Sequence, residues 1–325
     1  MDRTMISGSR DECLHAAWDY WRRLDESECF DIEGIEAPPG AIALIPYDCQ
    51  LPNSFHPLPL WVKLYASAGL HRFNMLQGTN FKLGYVMKFN KRLALLSPYY
   101  ITLLAHDSVS GSHQSFQVLV NEQSVGKLNI IIPIARPKGV TTNERLIPCD
   151  SFSVDDKLPQ WPSHDSFNDT KRFYLVKESE LQNNDWINLY LQLVLCAIQR
   201  VRISDSDLSK LKIVKAVIET KEDMVSPNER LNAKTAVVYI TFKGLANARI
   251  AAGEHDERKA IIRRIFDEHT GHLSLLGDLI GEKRFVNIDP VTYFNSPAYL
   301  EDITHELPPD SPWMDILAGT GPWIR

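Results

Sequence analysis

The chain has 325 residues, of which 44% are hydrophobic and 23% are charged, and its formal net charge is −6. This length allows two domains of ordinary size. The sequence contains neither a run of about 18 apolar residues that could span a membrane nor an apolar signal segment after Met1. The five cysteines form no Cys-x-x-Cys pair, and no catalytic, nucleotide-binding or metal-binding motif is present, so we expect a reduced intracellular protein that holds no cofactor.

Charge is distributed unevenly along the chain. Residues 1–50 contain eleven acidic and four basic residues, a net charge of −7, whereas the other 275 residues carry a net charge of +1. A nucleic-acid-binding protein would present a basic stripe with interleaved aromatic residues, and the sequence has no such stripe. We therefore expect no direct binding to nucleic acid. We interpret residues 1–50 as an acidic arm that is either solvated or docked on a partner.

The acidic arm contains one predicted helix, over about residues 10–25. Leu14, Trp18, Trp21 and Leu24 recur at helical spacing and form one apolar face. Two tryptophans on one face must lie against other groups. The sequence allows two interpretations: the helix packs on the first domain, or it docks on another chain, where tryptophan is a frequent anchor.

The first predicted domain covers residues 51–138 and follows a short predicted strand at 41–46. It opens with a helix from Trp61 to Gly78, where glycine suits the helix end. The inner face of this helix combines apolar and small residues: Val62, Tyr65, Ala66, Gly69, Phe73 and Leu76. Four predicted strands then follow, at 80–89, 98–105, 116–120 and 128–134.

Residues 139–184 are punctuated by proline and aspartate and are interpreted as a linker with a short edge strand at 173–176. The second predicted domain covers residues 185–281. Its helix begins at Asp185, and its inner-face residues are Ile187, Tyr190, Leu191, Val194 and Ile198. Its predicted strands lie at 211–219, 235–242, 260–266 and 273–276, and the last two form a hairpin around Thr270-Gly271. A C-terminal tail, 282–325, contains Trp313 and Trp323, which we take with Trp18 and Trp21 as candidate partner-binding residues.

The two domains read as one unit written twice. Tyr100-Ile101-Thr102 in the first copy corresponds to Tyr239-Ile240-Thr241 in the second, and each lies in the second strand after the helix. One helix followed by four consecutive antiparallel strands implies a curved sheet wrapped around that helix. The predicted fold class is therefore α+β, with two tandem units that each consist of one helix and a four-stranded antiparallel sheet.

The first copy resembles a plant cystatin over about 75 residues. The resemblance rests on Leu70-His71-Arg72-Phe73-Asn74, Tyr99-Tyr100-Ile101-Thr102-Leu103 and the strand from Phe116 to Val120. It implies a cystatin-like fold for each unit. The Gln-x-Val-x-Gly hairpin of inhibitory cystatins would lie at 92–96, where neither the glutamine nor the glycine occurs, so the departure argues against inhibition of cysteine proteases.

Most of the chain is similar to a crucifer-plant family of uncharacterised proteins that includes a male-sterility protein acting in early meiosis. The similarity rests on four segments: Leu70 to Asn80, Ile134 to Gly139, Lys177 to Gln182 and Pro227 to Asn232. The family has no established enzymatic activity. Membership implies an intracellular, nuclear setting in reproductive tissue, with the cytoplasm as the alternative compartment.

Ten histidines suggest two further hypotheses. His255, His269 and His272 form the densest group, but a hairpin tip would direct the last two into solvent rather than around a metal ion. His71, His106 and Asp185 could line the cavity of a double-hot-dog-like enzyme, although N-capping of a helix explains Asp185 more simply.

Three functions therefore remain open. The leading interpretation is a non-catalytic protein-interaction protein with unidentified protein partners and no enzymatic activity. The alternatives are a cystatin-type protease inhibitor and a double-hot-dog-like enzyme. The sequence does not determine the oligomeric state.

Overall fold

A computed structural model describes residues 10–39, 41, 43–50, 58–92, 94, 96–140, 157–200, 203–220, 226–245 and 257–281. In the first half, helix α1 (Arg10–Glu26) and strand β1 (Leu44–Asp48) precede helix α2 (Leu60–Gln77). Four strands follow α2: β2 (Phe81–Arg92), β3 (Pro98–Asp107), β4 (His113–Glu122) and β5 (Leu128–Pro137).

The second half repeats this order. A 3-10 helix (Asp165–Asn168), strand β6 (Phe173–Leu175) and the short helix α3 (Glu178–Asn183) precede the long helix α4 (Asp185–Gln199). The remaining elements are α5 (Asp205–Leu208), β7 (Lys212–Glu219), α6 (Pro227–Leu231), β8 (Ala236–Lys243), β9 (Arg258–Phe266) and β10 (Leu273–Ile280). Each half thus runs from a short strand through a long helix to four strands.

All ten strands belong to one antiparallel sheet, in the order β1-β2-β3-β4-β5-β10-β9-β8-β7-β6. The last strands of the two halves pair with each other, Leu273 opposite Ile132 and Leu275 opposite Ile130. The mixed α+β class is confirmed. The short strands β1 and β6 lie at the two edges, where the sequence predicted a short strand and an edge strand.

Helix α2 forms where the sequence predicts it. Gly78 ends the helix in the left-handed conformation at φ 64°, which glycine adopts without a steric penalty. Val62, Tyr65 and Ala66 are buried against the sheet, as the predicted face requires, but Leu76 is 41% exposed because the last turn extends beyond the core.

Gly69 allows α2 to approach the sheet closely. A β-carbon at this position would lie 2.3 Å from the Cγ1 atom of Val118 on β4, which is far inside van der Waals contact. Glycine normally weakens a helix interior, so close packing is the physical reason for its presence here.

The two helices lie side by side in one hydrophobic core. A single cluster of buried residues extends from Val62 on α2 through Ile132 on β5 to Val194 on α4 and Leu275 on β10. Four residues of the predicted inner face of α4, Ile187, Tyr190, Leu191 and Val194, are fully buried, whereas the fifth, Ile198, is only partly buried. The two halves of the chain therefore share a core, while the predicted tandem repeat and its division into separate domains stay predictions.

An arginine of each long helix, α2 or α4, contacts the last hairpin of the other half of the chain. Arg72 on α2 donates to the carbonyl of Gly271 in the β9–β10 turn at 2.8 Å. At the end of α4, Arg200 forms an ion pair with Glu122 at the end of β4 and donates to the hydroxyl of Tyr65 at 3.0 Å. These contacts join the two halves in addition to the β5–β10 pairing.

The face of the sheet opposite the long helices is covered by segments that lie earlier in each half of the chain than the long helix. In the second half, Trp161 and Phe167 pack edge-on against Tyr239 of β8, with ring centroids 5.4 and 5.7 Å apart. Residues 157–172 were predicted as linker, and in the structure their aromatic side chains cover this outer face. In the first half the acidic arm takes the equivalent position.

Candidate interaction site

Helix α1 is present where predicted, but its buried face differs from the predicted stripe. Tyr20 and Leu24 are 3% and 0% exposed, and the Tyr20 hydroxyl accepts a hydrogen bond from the backbone N–H of Leu44 at 2.8 Å. Trp21 is half-buried and lies 4.5 Å from the guanidinium of Arg92. The sequence pattern did not predict Tyr20 as a buried residue, because Tyr20 lies one position away from the predicted apolar face.

Trp18 is 74% exposed, and Leu14, one turn earlier, is 53% exposed. Residues four apart on a helix lie on the same face, so the two side chains form an apolar pair open to solvent. The two predicted tryptophans thus differ: Trp21 packs on the first half of the protein, and Trp18 does not. We call Leu14 and Trp18 the α1 pair. Trp313 and Trp323 lie outside the described residues.

After α1 the chain turns sharply onto the outer face of the sheet. Glu28 and Cys29 both have positive φ angles, 48° and 61°, a region that non-glycine residues seldom occupy. The amide of Asn90 on β2 donates to the carbonyls of Cys29 at 2.7 Å and Phe30 at 3.0 Å. Asn90 is 1% exposed, so a buried side chain of the sheet holds two consecutive peptide groups of the arm.

Phe30 anchors this turn. Its side chain is fully buried between Leu119 and Ile134 and makes an edge contact with Tyr100 at 5.6 Å between centroids. The guanidinium of Arg136 lies 5.9 Å from the phenyl ring, within the range of a cation–π contact.

Acidic residues on both sides of Phe30 pair with basic residues of the sheet. Arg136 forms a two-pronged ion pair with Glu28, in which one contact is 3.0 Å. Lys88 contacts Asp31 at 2.8 Å and also pairs with Glu33, and Lys138 contacts Asp31 at 3.0 Å. Three basic side chains therefore face the acids of the arm: Lys88, Arg136 and Lys138.

These pairs set the protonation state of the arm. Partial burial alone would raise the pKa of Asp31, but the hydrogen bonds from Lys88 and Lys138 outweigh it and bring the pKa below its usual value. Glu33 behaves in the same way under the influence of Lys88, and its pKa is also lowered. The carboxylates of Asp31 and Glu33 are therefore charged at neutral pH and are neutralised within the chain.

A second polar cluster lies between the two long helices. The Nε2 atom of His71 lies 3.0 Å from the Tyr190 hydroxyl, and its ring stacks on Trp186 with centroids 5.8 Å apart. Burial, followed by the charges of Arg264 and Lys82, lowers the pKa of His71 to about 3. A histidine of so low a pKa is neutral and a weak base at pH 7.

The residues of the hot-dog hypothesis occupy different positions. Asp185 pairs with Lys82 at 2.7 Å at the start of α4. His106 lies opposite His113 across the β3–β4 ladder, with ring centroids 6.3 Å apart. Arg264, which the sequence shows only as part of a basic cluster, is fully buried with its guanidinium 4.5 Å from the Trp186 ring.

The predicted histidine group is only partly described. His269 is exposed and His272 is half-buried, on either side of the β9–β10 turn, and His255 lies outside the described residues. Across the described ranges, no three His, Cys, Asp or Glu side chains are grouped as a metal ion would require.

A cleft of about 480 Å³ opens between the end of β1, the start of α2 and β2, lined by residues that include Cys49, Lys63 and Tyr85. Burial and the neighbouring Asp48 raise the pKa of Cys49 to about 11, so its thiol is protonated at neutral pH. None of His71, His106 and Asp185 lines this cleft.

Among the helices in the described parts of the chain, none has the length and apolar character needed to cross a bilayer.

Comparison with known proteins places this chain among plant relatives. The family model "Protein MS5" matches residues 158–275. The UPF0725 protein At1g19060 of Arabidopsis thaliana is 82% identical over 99% of this chain and 98% of its own length, and the UPF0725 protein At1g02770 of the same plant is 62% identical over 95% and 99%. The crystal structure of MS5 from Brassica napus is 33% identical, covers 69% of this chain and 99% of its own, and superposes with a TM-score of 0.57. The chain described above therefore belongs to the Protein MS5 family, together with these UPF0725 proteins.

Proposed function

We propose that this protein is a non-catalytic interaction protein that binds a protein partner through the α1 pair, Leu14 and Trp18. The observation that carries the proposal is the 74% exposure of Trp18 on a helix that buries Tyr20 and Leu24 against the rest of the chain. A tryptophan presented in this way has the size and amphipathic character of a binding anchor.

The chemistry of α1 indicates the kind of partner. Helix α1 carries several acids, among them Asp19, Asp25 and Glu26, of which Asp19 and Glu26 pair with Arg22. An amphipathic helix of this type docks its apolar residues in a groove of its partner. We infer a groove with an apolar floor and a basic rim, because such a rim complements the acids of α1.

The family relation supports a proposal for the biological setting. Membership of the Protein MS5 family supports a role in plant reproduction, and we propose that the protein acts in male meiosis, in the nucleus, with the cytoplasm as the alternative. We also propose that each repeat is a cystatin-like unit, which the order of strand, helix and four antiparallel strands supports.

The test compares three full-length proteins in capture from reproductive tissue: the unchanged chain, Trp18→Ala, and Val109→Ala as a matched control. Val109 is 86% exposed in the β3–β4 turn, so its substitution removes an exposed apolar side chain elsewhere on the surface. We expect a partner that is recovered with the unchanged chain and with Val109→Ala, and is lost with Trp18→Ala.

The captured partner is then measured with purified proteins. We expect Trp18→Ala to weaken binding about 30-fold, which corresponds to about 2 kcal/mol for a central tryptophan anchor, while the melting temperature is unchanged. Equal affinity of Trp18→Ala and the unchanged chain would refute docking through α1.

A further inference from the structure

Residues 28–33, which we call the acidic segment, lie on the sheet in the manner of a bound peptide. The segment belongs to no helix or strand, and backbone pairing with the sheet does not hold it in place. It is held instead by side chains of β2, β4 and β5, through the Asn90 amide on its carbonyls and the burial of Phe30.

The sheet contacts both the backbone and the side chains of the acidic segment. Asn90 contacts two consecutive carbonyls, which any peptide possesses, and so fixes the path of the chain without selecting a sequence. Selectivity comes from the pocket for Phe30 and from the bases that pair with Glu28, Asp31 and Glu33. The surface thus recognises an aromatic residue with a carboxylate two positions before it and others one and three positions after it.

The segment reaches this surface in a strained conformation. Glu28 and Cys29 are consecutive non-glycine residues at positive φ, and each such residue is unfavourable relative to ordinary backbone. The turn is tied to the end of α1, because the N–H groups of Glu28 and Cys29 donate to the carbonyls of Asp25 and Leu24 at 2.9 and 2.8 Å. A separate peptide would lack these bonds to α1 but has the groups that Asn90, the Phe30 pocket and the three bases contact.

We propose that the outer face of the first repeat is a peptide-binding site for an acidic–aromatic segment of a partner protein, and that residues 28–33 occupy it in cis. The receiving surface consists of Asn90, Arg136, Lys88 and Lys138 around the Phe30 pocket. It is distinct from the α1 pair, so it goes beyond the interaction proposed above and can stand or fall independently.

A tethered segment competes strongly with a free one, because a short link gives it an effective concentration in the millimolar range. A partner therefore gains access only when the cis segment is weakened or when the partner is itself concentrated or multivalent. The arm acts as a competitor that sets the threshold for binding.

The test uses a fluorescein-labelled peptide of residues 25–36, with serine in place of Cys29, and full-length protein. Phe30→Ala weakens the cis segment by removing its anchor, and the double variant Asp31→Lys/Glu33→Lys weakens it by reversing charge at two partly exposed positions. We expect both variants to bind the peptide at least tenfold more tightly than the unchanged chain.

Specificity is checked on both sides of the contact. Adding Arg136→Gln to either variant is expected to weaken peptide binding at least tenfold, and a peptide with alanine for phenylalanine is expected not to bind. Lys63→Gln, which removes a base paired with Asp205 on another part of the surface, is the matched control and is expected to have no effect.

A second measurement needs no variant. Hydrogen exchange of the unchanged full chain in millimolar peptide is expected to rise in residues 27–33 and to stay constant in β4 and β5. Folded release variants that bind no more tightly than the unchanged chain would overturn the proposal, as would the absence of faster exchange. A dimer fraction that increases with protein concentration and is absent in Phe30→Ala would identify the arm of a second copy as the occupant. That result would overturn the assignment to a separate partner.

Discussion

Replacing Arg200 by alanine tests whether the buried ion pair at the end of α4 holds the two halves of the chain together. The Glu122 side chain is 3% exposed and accepts hydrogen bonds from both Arg200 and the Tyr65 hydroxyl. The variant leaves this carboxylate buried with only the tyrosine as donor, and it also removes the guanidinium that lies 4.9 Å from the Trp61 ring.

The magnitude follows from burial. Removing one partner of a buried pair costs about 3–5 kcal/mol, and the Arg200 side chain is 28% exposed, which favours the lower end. We expect Arg200→Ala to lower the free energy of unfolding by about 3 kcal/mol. Glu122→Gln should cost less, about 1–2 kcal/mol, because the arginine that it leaves unpaired can turn towards solvent.

Urea unfolding, followed by circular dichroism and tryptophan fluorescence, measures these differences. The two signals should change together, because the two halves of the chain share one core and are expected to unfold as a unit. Lys63→Ala is the matched control: its ion pair with Asp205 also links the halves but is solvent-exposed, and its loss should cost about 0.5 kcal/mol or less. A loss below about 1 kcal/mol for Arg200→Ala, or the reverse order of the two variants at the buried pair, would refute the reasoning.

Three further outcomes are expected. Gly69→Ala should destabilise the protein by about 1–2 kcal/mol despite the better helix propensity of alanine, because the new β-carbon would clash with Val118. Thermal melts of the double variant Gly69→Ala/Val118→Ala should show that most of the lost stability is restored. Val194→Ala should cost about 2–3 kcal/mol, since the side chain is fully buried; a melt like that of the unchanged protein would contradict the core position of α4. The pKa values of Asp31 and Glu33 are lowered in the folded chain, so their pairs stabilise the arm fully above the unfolded pKa of about 4 and lose this contribution as the pH falls below it; hydrogen exchange should show an arm as protected at pH 5 as at pH 7 and less protected at pH 3.

Local patterns in the sequence predict most of the elements. Helical spacing of apolar residues locates α2 and α4, and alternation of apolar and polar residues locates the eight long strands. The short helices α5 and α6 were missed, although each begins with a capping box, Ser204 with Asp207 and Ser226 with Glu229, that the sequence contains. These features are visible without a structure because they depend on residues a few positions apart.

The candidate site was predicted only in outline. The acidity of the arm and the Trp18 and Trp21 helix are sequence features, but the sequence does not indicate that the arm's carboxylates pair with Lys88, Arg136 and Lys138. These bases are distant along the chain from residues 28–33, so no short-range signal connects the two.

Only the tertiary structure shows how the two halves of the chain pack together. Residues more than sixty positions apart meet in the pairing of β5 with β10 and in the contact between α2 and α4. The same is true of Arg72 and Arg200, each of which contacts the last hairpin of the other half. The periodicity of a sequence indicates which face of a helix or strand is apolar, and the elements of both halves have such an apolar face. Which apolar face meets which depends on shape, on the burial of the remaining surface and on the pairing of buried charges, and these are properties of the folded chain as a whole.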